Sequence, residues 1–202
     1  MDFHHKLRTE TRFLHDQIEQ SFLIKKIMSC QITREEYLLL LEKFYGFIAP
    51  CESLINELAC KNLITGRSKS LLLAQDLQTL KMNKSIFFIT SQCDHLPQLS
   101  EIEDVLGYLY VMEGSTLGGQ IITKMLQKQL QISATHGGAV FYGYGNKTKA
   151  MWDDFCQNLN RVQDIAQQNK ILLSARLTYN TLFQWMEKIP VHLDAMSFHI
   201  SK

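Results

Sequence analysis

Four side chains near the start of the chain have the types and spacing of a ligand-binding stripe on one helix. These side chains are Arg8, Arg12, His15 and Glu19, which follow one another at intervals of four, three and four residues. An α-helix turns about 100° per residue, so these intervals place all four side chains on one face. An imidazole there could coordinate a metal ion while the two guanidinium groups bind acidic groups of the same ligand. The alternative is a solvated polar face in which an arginine pairs with Glu19 or Asp16.

A second stretch, GYLYVMEGSTLGGQIITKML at 107–126, carries four glycines in an apolar helical pattern: Gly107, Gly114, Gly118 and Gly119. Each glycine inside a helix costs roughly 0.5–1 kcal/mol relative to alanine. The first three fall within a narrow sector of the helix and Gly119 lies on its flank. Close packing of another helix would explain bare backbone on one face. The adjacent pair at 118 and 119 favours instead a kinked helix with a flat, rigid ligand against its backbone.

Helical periodicity organises most of the chain and predicts a single all-α domain over residues 1–202. Thr33 and Glu36 form a capping-box pattern at the start of a long helix, which Pro50 is expected to kink. The run SIFFIT at 85–90 is the one β-like segment, and the glycine-rich segment at 135–147 is predicted to be a loop or a lid. The predicted helices are 3–22, 33–58, 68–80, 100–130, 148–168 and 170–189.

Composition limits the classes of function. A net charge of +1 gives no basic field for binding nucleic acid or a membrane surface. The five cysteines contain no CxxC pair, which argues against a zinc site or a disulfide framework. The chain shows no signal-peptide pattern and no run of 18 apolar residues, so we expect a cytoplasmic protein.

Together, these stretches resemble the heme oxygenase family. LRTETRFLHDQIEQ is similar to the family's proximal helix and YLYVMEGSTLGGQII to its glycine-rich distal helix. QITREEYLLLLEKFYGFIAPCESLI resembles the second helix, and SARLTYNTLFQWM is a weaker match. The form EGSTLGG looks like the bacterial branch often found beside bacteriophytochromes. The resemblance implies a multi-helix heme-oxygenase-like fold with heme held between the first helix and the kinked distal helix.

The resemblance also implies roles for individual residues on the proximal side. His15 would be the axial ligand of the heme iron, with Glu19 the nearest candidate to hold its second ring N–H. Arg8 and Arg12 match basic positions that face the heme propionates and so fix the orientation of the porphyrin. Further contacts to the propionates are less specifically indicated for Lys147, Lys149 and Arg176.

On the distal side, Gly114 and Gly118 match the family's glycines, and Gly119 continues the motif. Ser115 departs from much of the family, in which an aspartate at this position organises water near bound oxygen. A serine hydroxyl is neutral and can both donate and accept, so it could hold a similar water network.

The activity implied is oxidative cleavage of heme by O2 to biliverdin, CO and ferrous iron. The electrons would come from an external donor, a reductase or ferredoxin, because the chain shows no GxGxxG motif after a strand and no cysteine cluster. A bilin-binding photoreceptor is a further expected partner. One alternative is a heme-binding sensor or carrier that does not degrade heme. Another is a thiaminase-like hydrolase or a di-iron oxidase of the same fold, the latter built on His15, Glu19, Glu52 and Glu113.

Overall fold

The computed structural model describes residues 2–81 and 91–188, and in these ranges the chain forms eight α-helices, two short 3₁₀ helices and no strand. The all-α prediction is therefore confirmed, while the β-like run at 85–90 lies outside the described residues. None of the helices in the described ranges has the length and apolar character needed to cross a bilayer. The helices are α1 (Phe3–Glu19), α2 (Phe22–Met28), α3 (Arg34–Asn56), α4 (Ser70–Lys81), α5 (Ile102–Leu130), α6 (Ala139–Tyr142), α7 (Thr148–Asn160) and α8 (Ile165–Glu187).

The capping box at the start of α3 is confirmed. The Thr33 hydroxyl accepts from the Glu36 backbone N–H at 3.2 Å, and the Glu36 carboxylate accepts from the Thr33 N–H at 2.9 Å. These two bonds satisfy donors that a helix start otherwise leaves without partners. Helix α1 begins in a related way, with the Asp2 carboxylate accepting from the His5 N–H at 3.1 Å.

Pro50 lies inside α3, and its missing N–H has a structural use. Proline cannot donate to the carbonyl four residues earlier, which leaves the Gly46 oxygen free. That oxygen accepts the Cys93 backbone N–H at 2.9 Å. A side chain at Gly46 would meet the Ser91 carbonyl oxygen at 2.3 Å, so the absence of a Cβ lets this segment approach α3. The helix is continuous through Pro50 from Arg34 to Asn56.

Helix α5 is the central element, and α8 packs along it. Gly107 lies at the closest approach, where an added Cβ would come within 2.5 Å of the Ser174 side chain and 2.6 Å of the Ile171 carbonyl oxygen. The Ser174 hydroxyl also donates to the Asp104 carbonyl at 2.7 Å. Close helix packing, the alternative considered for the glycine stretch, is thus the explanation for Gly107.

Three predicted boundaries are corrected. The first helix ends at Glu19 rather than at residue 22, and Ser21 precedes the separate helix α2. The segment 148–168 is not one helix, because α7 ends at Asn160 and α8 already begins at Ile165. Asp164 starts α8 by accepting from the Gln167 N–H at 2.8 Å, an N-cap signal present in the sequence.

The segment 135–147 is also more ordered than the loop predicted from its glycines. It contains α6 and a 3₁₀ turn at Gly145–Lys147. Gly137, Gly143 and Gly145 have positive φ angles of 79°, 55° and 58°, which explains why the segment needs residues without a Cβ.

Candidate functional site

A largely apolar pocket opens between α1 and α5. It encloses 1190 Å³ of empty space, part of it open to solvent. The walls combine residues from α1, α2, α3, α5, α6 and α8 with Lys69, which precedes α4. The lining residues are His15, Ile18, Glu19, Ile24, Met28, Phe44, Ile48, Lys69, Val111, Met112, Gly114, Ser115, Thr116, Gly118, Gly119, Ile121, Ile122, Val140, Phe141, Tyr179 and Leu182.

His15 contributes its imidazole from the α1 wall, with 48% of the side chain exposed. Its Nδ1 lies 3.9 Å from a Glu19 carboxylate oxygen and 3.8 Å from one of Asp16. Both distances exceed that of a hydrogen bond, so either carboxylate could take the Nδ1–H after a small side-chain movement. The Tyr179 ring meets the imidazole edge-on, with 6.3 Å between the ring centroids. These contacts leave the rest of the imidazole available to a ligand in the pocket.

The four glycines of α5 divide into two kinds. A Cβ at Gly118 would meet nothing within 4 Å, and one at Gly114 would meet only the Trp152 ring, at 3.6 Å. A Cβ at Gly119 would instead collide with the Phe141 carbonyl oxygen at 2.4 Å. Gly119 is therefore required for packing of α6, as Gly107 is for packing of α8. Gly114 and Gly118 leave bare backbone facing the pocket without such a packing reason.

Ser115 lies between these two glycines and also lines the pocket. Its hydroxyl donates to the Met112 carbonyl at 2.7 Å, one turn back on the same helix. With its proton directed to the backbone, the Ser115 oxygen presents lone pairs that can accept from water or from a ligand.

The predicted cations lie outside the pocket lining. Arg12 has 82% of its side chain exposed and lies 4.0 Å from Asp16, and Arg8 is exposed on α1. Lys149 pairs with Asp153 at 2.5 Å, and Arg176 pairs with Glu10 across the contact between α1 and α8. The exposed Lys147 lies in the 3₁₀ turn before α7. In this arrangement none of the five side chains contacts the pocket interior directly.

Helix α6 is held at the pocket by several polar contacts. The buried Asp76 carboxylate accepts from the Ala139 and Val140 backbone N–H groups at 2.8 and 2.9 Å. The Tyr37 hydroxyl donates to the Gly137 carbonyl at 2.7 Å, and Gln120 of α5 donates to the Tyr142 carbonyl at 2.8 Å. These bonds position Val140 and Phe141 as one wall of the pocket.

Sequence reasoning missed a buried ionic cluster behind α5. Glu113 is fully buried and accepts from Arg67 at 2.6 Å and from Lys69 at 2.8 Å. The Tyr144 hydroxyl donates to the same carboxylate at 2.9 Å, and burial followed by the Glu113 charge raises the pKa of Tyr144. Arg67 extends the cluster to the exposed Asp154 at 2.9 Å. A glutamate inside an apolar helix was the available signal, since buried charges need partners.

The same cluster argues against the di-iron alternative. Glu52 is buried and accepts from the Lys69 and Ser70 backbone N–H groups and from the Ser68 hydroxyl, at 2.6, 3.2 and 2.5 Å. Within the described ranges, the group with metal-binding spacing is instead His15 with Asp16 and Glu19 on α1. Glu52 and Glu113 are thus committed to other partners and do not join His15.

The three buried cysteines give no support to a thiaminase-like nucleophile. Cys51 is buried, and burial raises the pKa of its thiol far above the ordinary value. Burial also raises the pKa of the Cys93 thiol. It raises the pKa of the Cys156 thiol to about 12. A thiol with a raised pKa is protonated at neutral pH and is a poor nucleophile.

Comparison with known proteins agrees with this architecture. The model of the family described as heme oxygenase matches residues 1–188. The NO- and CO-bound heme oxygenase of Neisseria meningitidis is 20% identical, with a TM-score of 0.71, and the alignment covers 95% of this chain and 94% of that one. A comparison of the sequence with curated proteins finds no match.

Two further solved structures share the fold over almost their whole length. The heme oxygenase of Leptospira interrogans is 18% identical with a TM-score of 0.74, and 94% of this chain and 100% of that chain are covered. Heme oxygenase-1 of Synechocystis sp. PCC 6803, solved in complex with heme, is 16% identical with a TM-score of 0.72, and 99% and 98% are covered. Because the family model spans nearly all of the chain, the protein belongs to the heme oxygenase family.

Proposed function

We propose that this protein cleaves heme oxidatively, with O2 and an external reductant, to biliverdin, CO and ferrous iron. The observation that carries the proposal is the pocket in which His15 on α1 and the bare backbone of Gly114 and Gly118 on α5 line one apolar space. A metal-binding imidazole with glycine backbone in the same apolar pocket suits a flat metal complex. Family membership and the heme-bound structure from Synechocystis support this choice of ligand.

The residues present fit heme on three counts. The walls are mainly aliphatic and aromatic, as a porphyrin face requires. Gly118 leaves open space that any Cβ would occupy. The imidazole of His15 is a nitrogen donor of the type that holds heme iron in many proteins, and its other nitrogen lies near two carboxylates.

On the α1 side, His15 would hold the iron, and Glu19 or Asp16 would accept the proton on its other nitrogen. A carboxylate on that N–H fixes the tautomer and orientation of the ring and makes it a stronger donor. Arg8 and Arg12, which are exposed on the same stripe of α1 and lie outside the pocket lining, are proposed to bind the heme propionates from solvent. Such charge-assisted contacts would select one in-plane orientation and hence the carbon that is cleaved.

On the α5 side, Gly114 and Gly118 would admit the heme face and Gly119 keeps α6 in place. The bound heme iron supplies the chemistry that activates O2. Ser115 is proposed to organise water beside it, since its hydroxyl oxygen can accept a hydrogen bond while donating to Met112. The apolar walls exclude bulk water from the reacting face.

We propose that electrons come from a separate reductase or ferredoxin, because the sequence offers no motif for a flavin, a nicotinamide or an iron–sulfur cluster. The bilin product would suit a bilin-binding photoreceptor as the acceptor, which the EGSTLGG form of the distal motif supports.

The experiment is a single-turnover assay of the purified protein with one equivalent of hemin and ascorbate in air. We expect the Soret band to decay while bilin absorption grows and CO is released. Ser115→Ala should bind hemin equally well and slow bilin formation, because it removes a polar group from the reacting face. A stable Soret band in the wild-type protein would instead identify a heme-binding sensor or carrier, and the absence of any Soret shift would exclude heme as the ligand.

A further inference from the structure

Lys69 occupies an unusual position between the buried ionic cluster and the pocket. Its side chain is 9% exposed, its ammonium lies 2.8 Å from Glu113, and the residue lines the pocket. Within residues 2–81 and 91–188, Lys69 is the one lysine or arginine among the lining residues. The positive charge in this wall therefore belongs to Lys69.

The hydrogen bonds of the ammonium leave one donor available. A lysine ammonium has three N–H groups. One is directed at Glu113, and a second makes a long contact of 3.5 Å with the Arg67 carbonyl oxygen. No oxygen or nitrogen atom in the described ranges accepts the third, and the ammonium lies 5.5 Å from the centroid of the Tyr144 ring. A buried donor without a partner is costly, so a ligand or water in the pocket is expected to take it.

The charged residues of the cluster also differ in whether they line the pocket. Glu113, Glu52 and Asp154 carry the negative charges, and none of them lines the pocket. Arg67 lies 2.6 Å from Glu113 and is shared with Asp154, which it contacts at 2.9 Å. Of the charged residues of the cluster, Lys69 is thus the one that lines the pocket, and it carries a positive charge.

We propose that Lys69 is a specificity-determining residue of this pocket, in which its charge and free N–H favour a small anion bound on the α5 side. This inference rests on the proposed heme site, since a ferric heme would present the anion there. The Glu113 carboxylate holds the ammonium in place and partly compensates its positive charge. In the reaction, the same ammonium would stabilise negative charge that develops as O2 is reduced.

The test is azide binding to the ferric heme complex. The shift of the optical spectrum on addition of azide measures the affinity, and no turnover is required. Lys69→Gln keeps an amide donor for Glu113 and removes the charge, and we expect it to weaken azide binding by about tenfold, which corresponds to about 1.4 kcal/mol. Lys69→Arg keeps the charge and should remain within about threefold of the wild-type affinity.

Glu113→Gln gives a prediction of opposite sign, which a purely structural role of the cluster would not produce. Neutralising Glu113 leaves both cations less compensated, so azide should bind more tightly than to the wild-type protein. Lys43→Gln is the matched control, because Lys43 is also a buried lysine but lies outside the pocket lining. Its azide affinity should equal that of the wild type.

Unchanged azide affinity in Lys69→Gln, or an equal loss in Lys69→Arg, would overturn the assignment, and so would weaker binding in Glu113→Gln. These results leave the proposed heme site intact, because they require a heme complex that forms normally. Failure of the wild-type protein to bind heme would overturn both proposals, and the missing Soret band identifies that case.

Discussion

Gly114 and Gly118 differ from Gly107 and Gly119 in what surrounds their missing side chains. The sequence predicted that the glycine stretch either packs against a helix or covers a ligand; close packing explains Gly107 and Gly119, whereas Gly114 and Gly118 line the pocket without it. Spacing could not separate the pairs, because Gly107 and Gly118 share a helix face and differ only in which element lies opposite. His15 was identifiable from its stripe, whereas Lys69 was not, since its place in the pocket depends on a tertiary contact with Glu113.

This division predicts opposite effects of two alanine substitutions on the heme-free protein. Gly118→Ala should raise the free energy of unfolding by about 0.5–1 kcal/mol, because its Cβ meets nothing and alanine favours helix. Gly107→Ala should lower it by about 1–3 kcal/mol, because its Cβ overlaps Ser174. Urea unfolding of both variants measures the difference.

The two variants should rank in the opposite order for heme affinity, with Gly118→Ala binding heme more weakly than Gly107→Ala. Gly118→Ala places a methyl group where the heme face is proposed to lie, so hemin should bind more weakly despite the gain in stability. Tight hemin binding by Gly118→Ala would contradict the placement of heme against this part of α5. Gly107→Ala, where it remains folded, should retain the wild-type affinity.

At the scale of elements, the helices were predictable and two of their junctions were not. The 3.6-residue periodicity and the capping box located α3 and α5, since both signals are local. The junction between α7 and α8 was predicted at 168–170 and lies at 160–165 instead, because the apolar pattern continues across it, although Asp164 marks the new start. Helix α6 was missed because four residues carry too little periodicity, and it is held by distant partners such as Asp76.

The N-cap of α8 should make a measurable contribution to the free energy of unfolding. Asp164→Ala should lower the free energy of unfolding by about 1 kcal/mol, because the Gln167 backbone N–H loses its acceptor. Gln167→Ala is the matched control, since it keeps that backbone donor and should change stability by less than about 0.5 kcal/mol. Equal losses in the two variants, measured by urea unfolding, would show that the cap does not stabilise α8.

Asp76 predicts a pH dependence of stability. Burial raises the folded-state pKa of its carboxyl above 3.8, even though the Val140 and Ala139 N–H groups oppose the shift. In a window that begins near 3.8 and extends upward, the folded state then holds more protons than the unfolded state. The contribution of Asp76 to the free energy of unfolding therefore falls as pH rises through that window.

Asp76→Asn isolates this contribution, because asparagine does not titrate. The difference in unfolding free energy between wild type and Asp76→Asn should decrease as the pH rises above about 3.8, as measured by urea unfolding at a series of pH values. A difference that grows with pH would mean that the two backbone donors outweigh burial and that the folded pKa is lowered.

At the scale of the whole molecule, the pocket is lined by residues of six helices, α5 among them. The all-α architecture followed from periodicity and composition, but the meeting of α1, α6 and α8 at one site follows from tertiary packing. The proposed ligand lies between these elements, so binding it should stabilise the entire fold. Ligand bound to the folded state alone adds about 2.7 kcal/mol at a concentration one hundred times Kd.

Hemin should accordingly raise the melting temperature of the wild-type protein. By this estimate the rise at saturation is several degrees, about 2–4 °C per kcal/mol for a chain of this size. The rise should be much smaller in Gly118→Ala, which weakens the site. Circular dichroism at 222 nm measures the melting temperatures. An equal rise in the wild-type protein and in Gly118→Ala would point to non-specific binding of hemin.

The most direct measurement of the central claim is the optical spectrum of His15→Ala with hemin, before and after addition of imidazole. We expect the variant to lose the wild-type Soret band. Imidazole should restore the band by filling the space left by the ring, and bilin formation with ascorbate in air should return with it. His95→Ala, in which the altered side chain is 81% exposed and outside the pocket, should match the wild type throughout. A wild-type spectrum and wild-type bilin formation in His15→Ala without imidazole would contradict the assignment of His15 as the ligand of the heme iron.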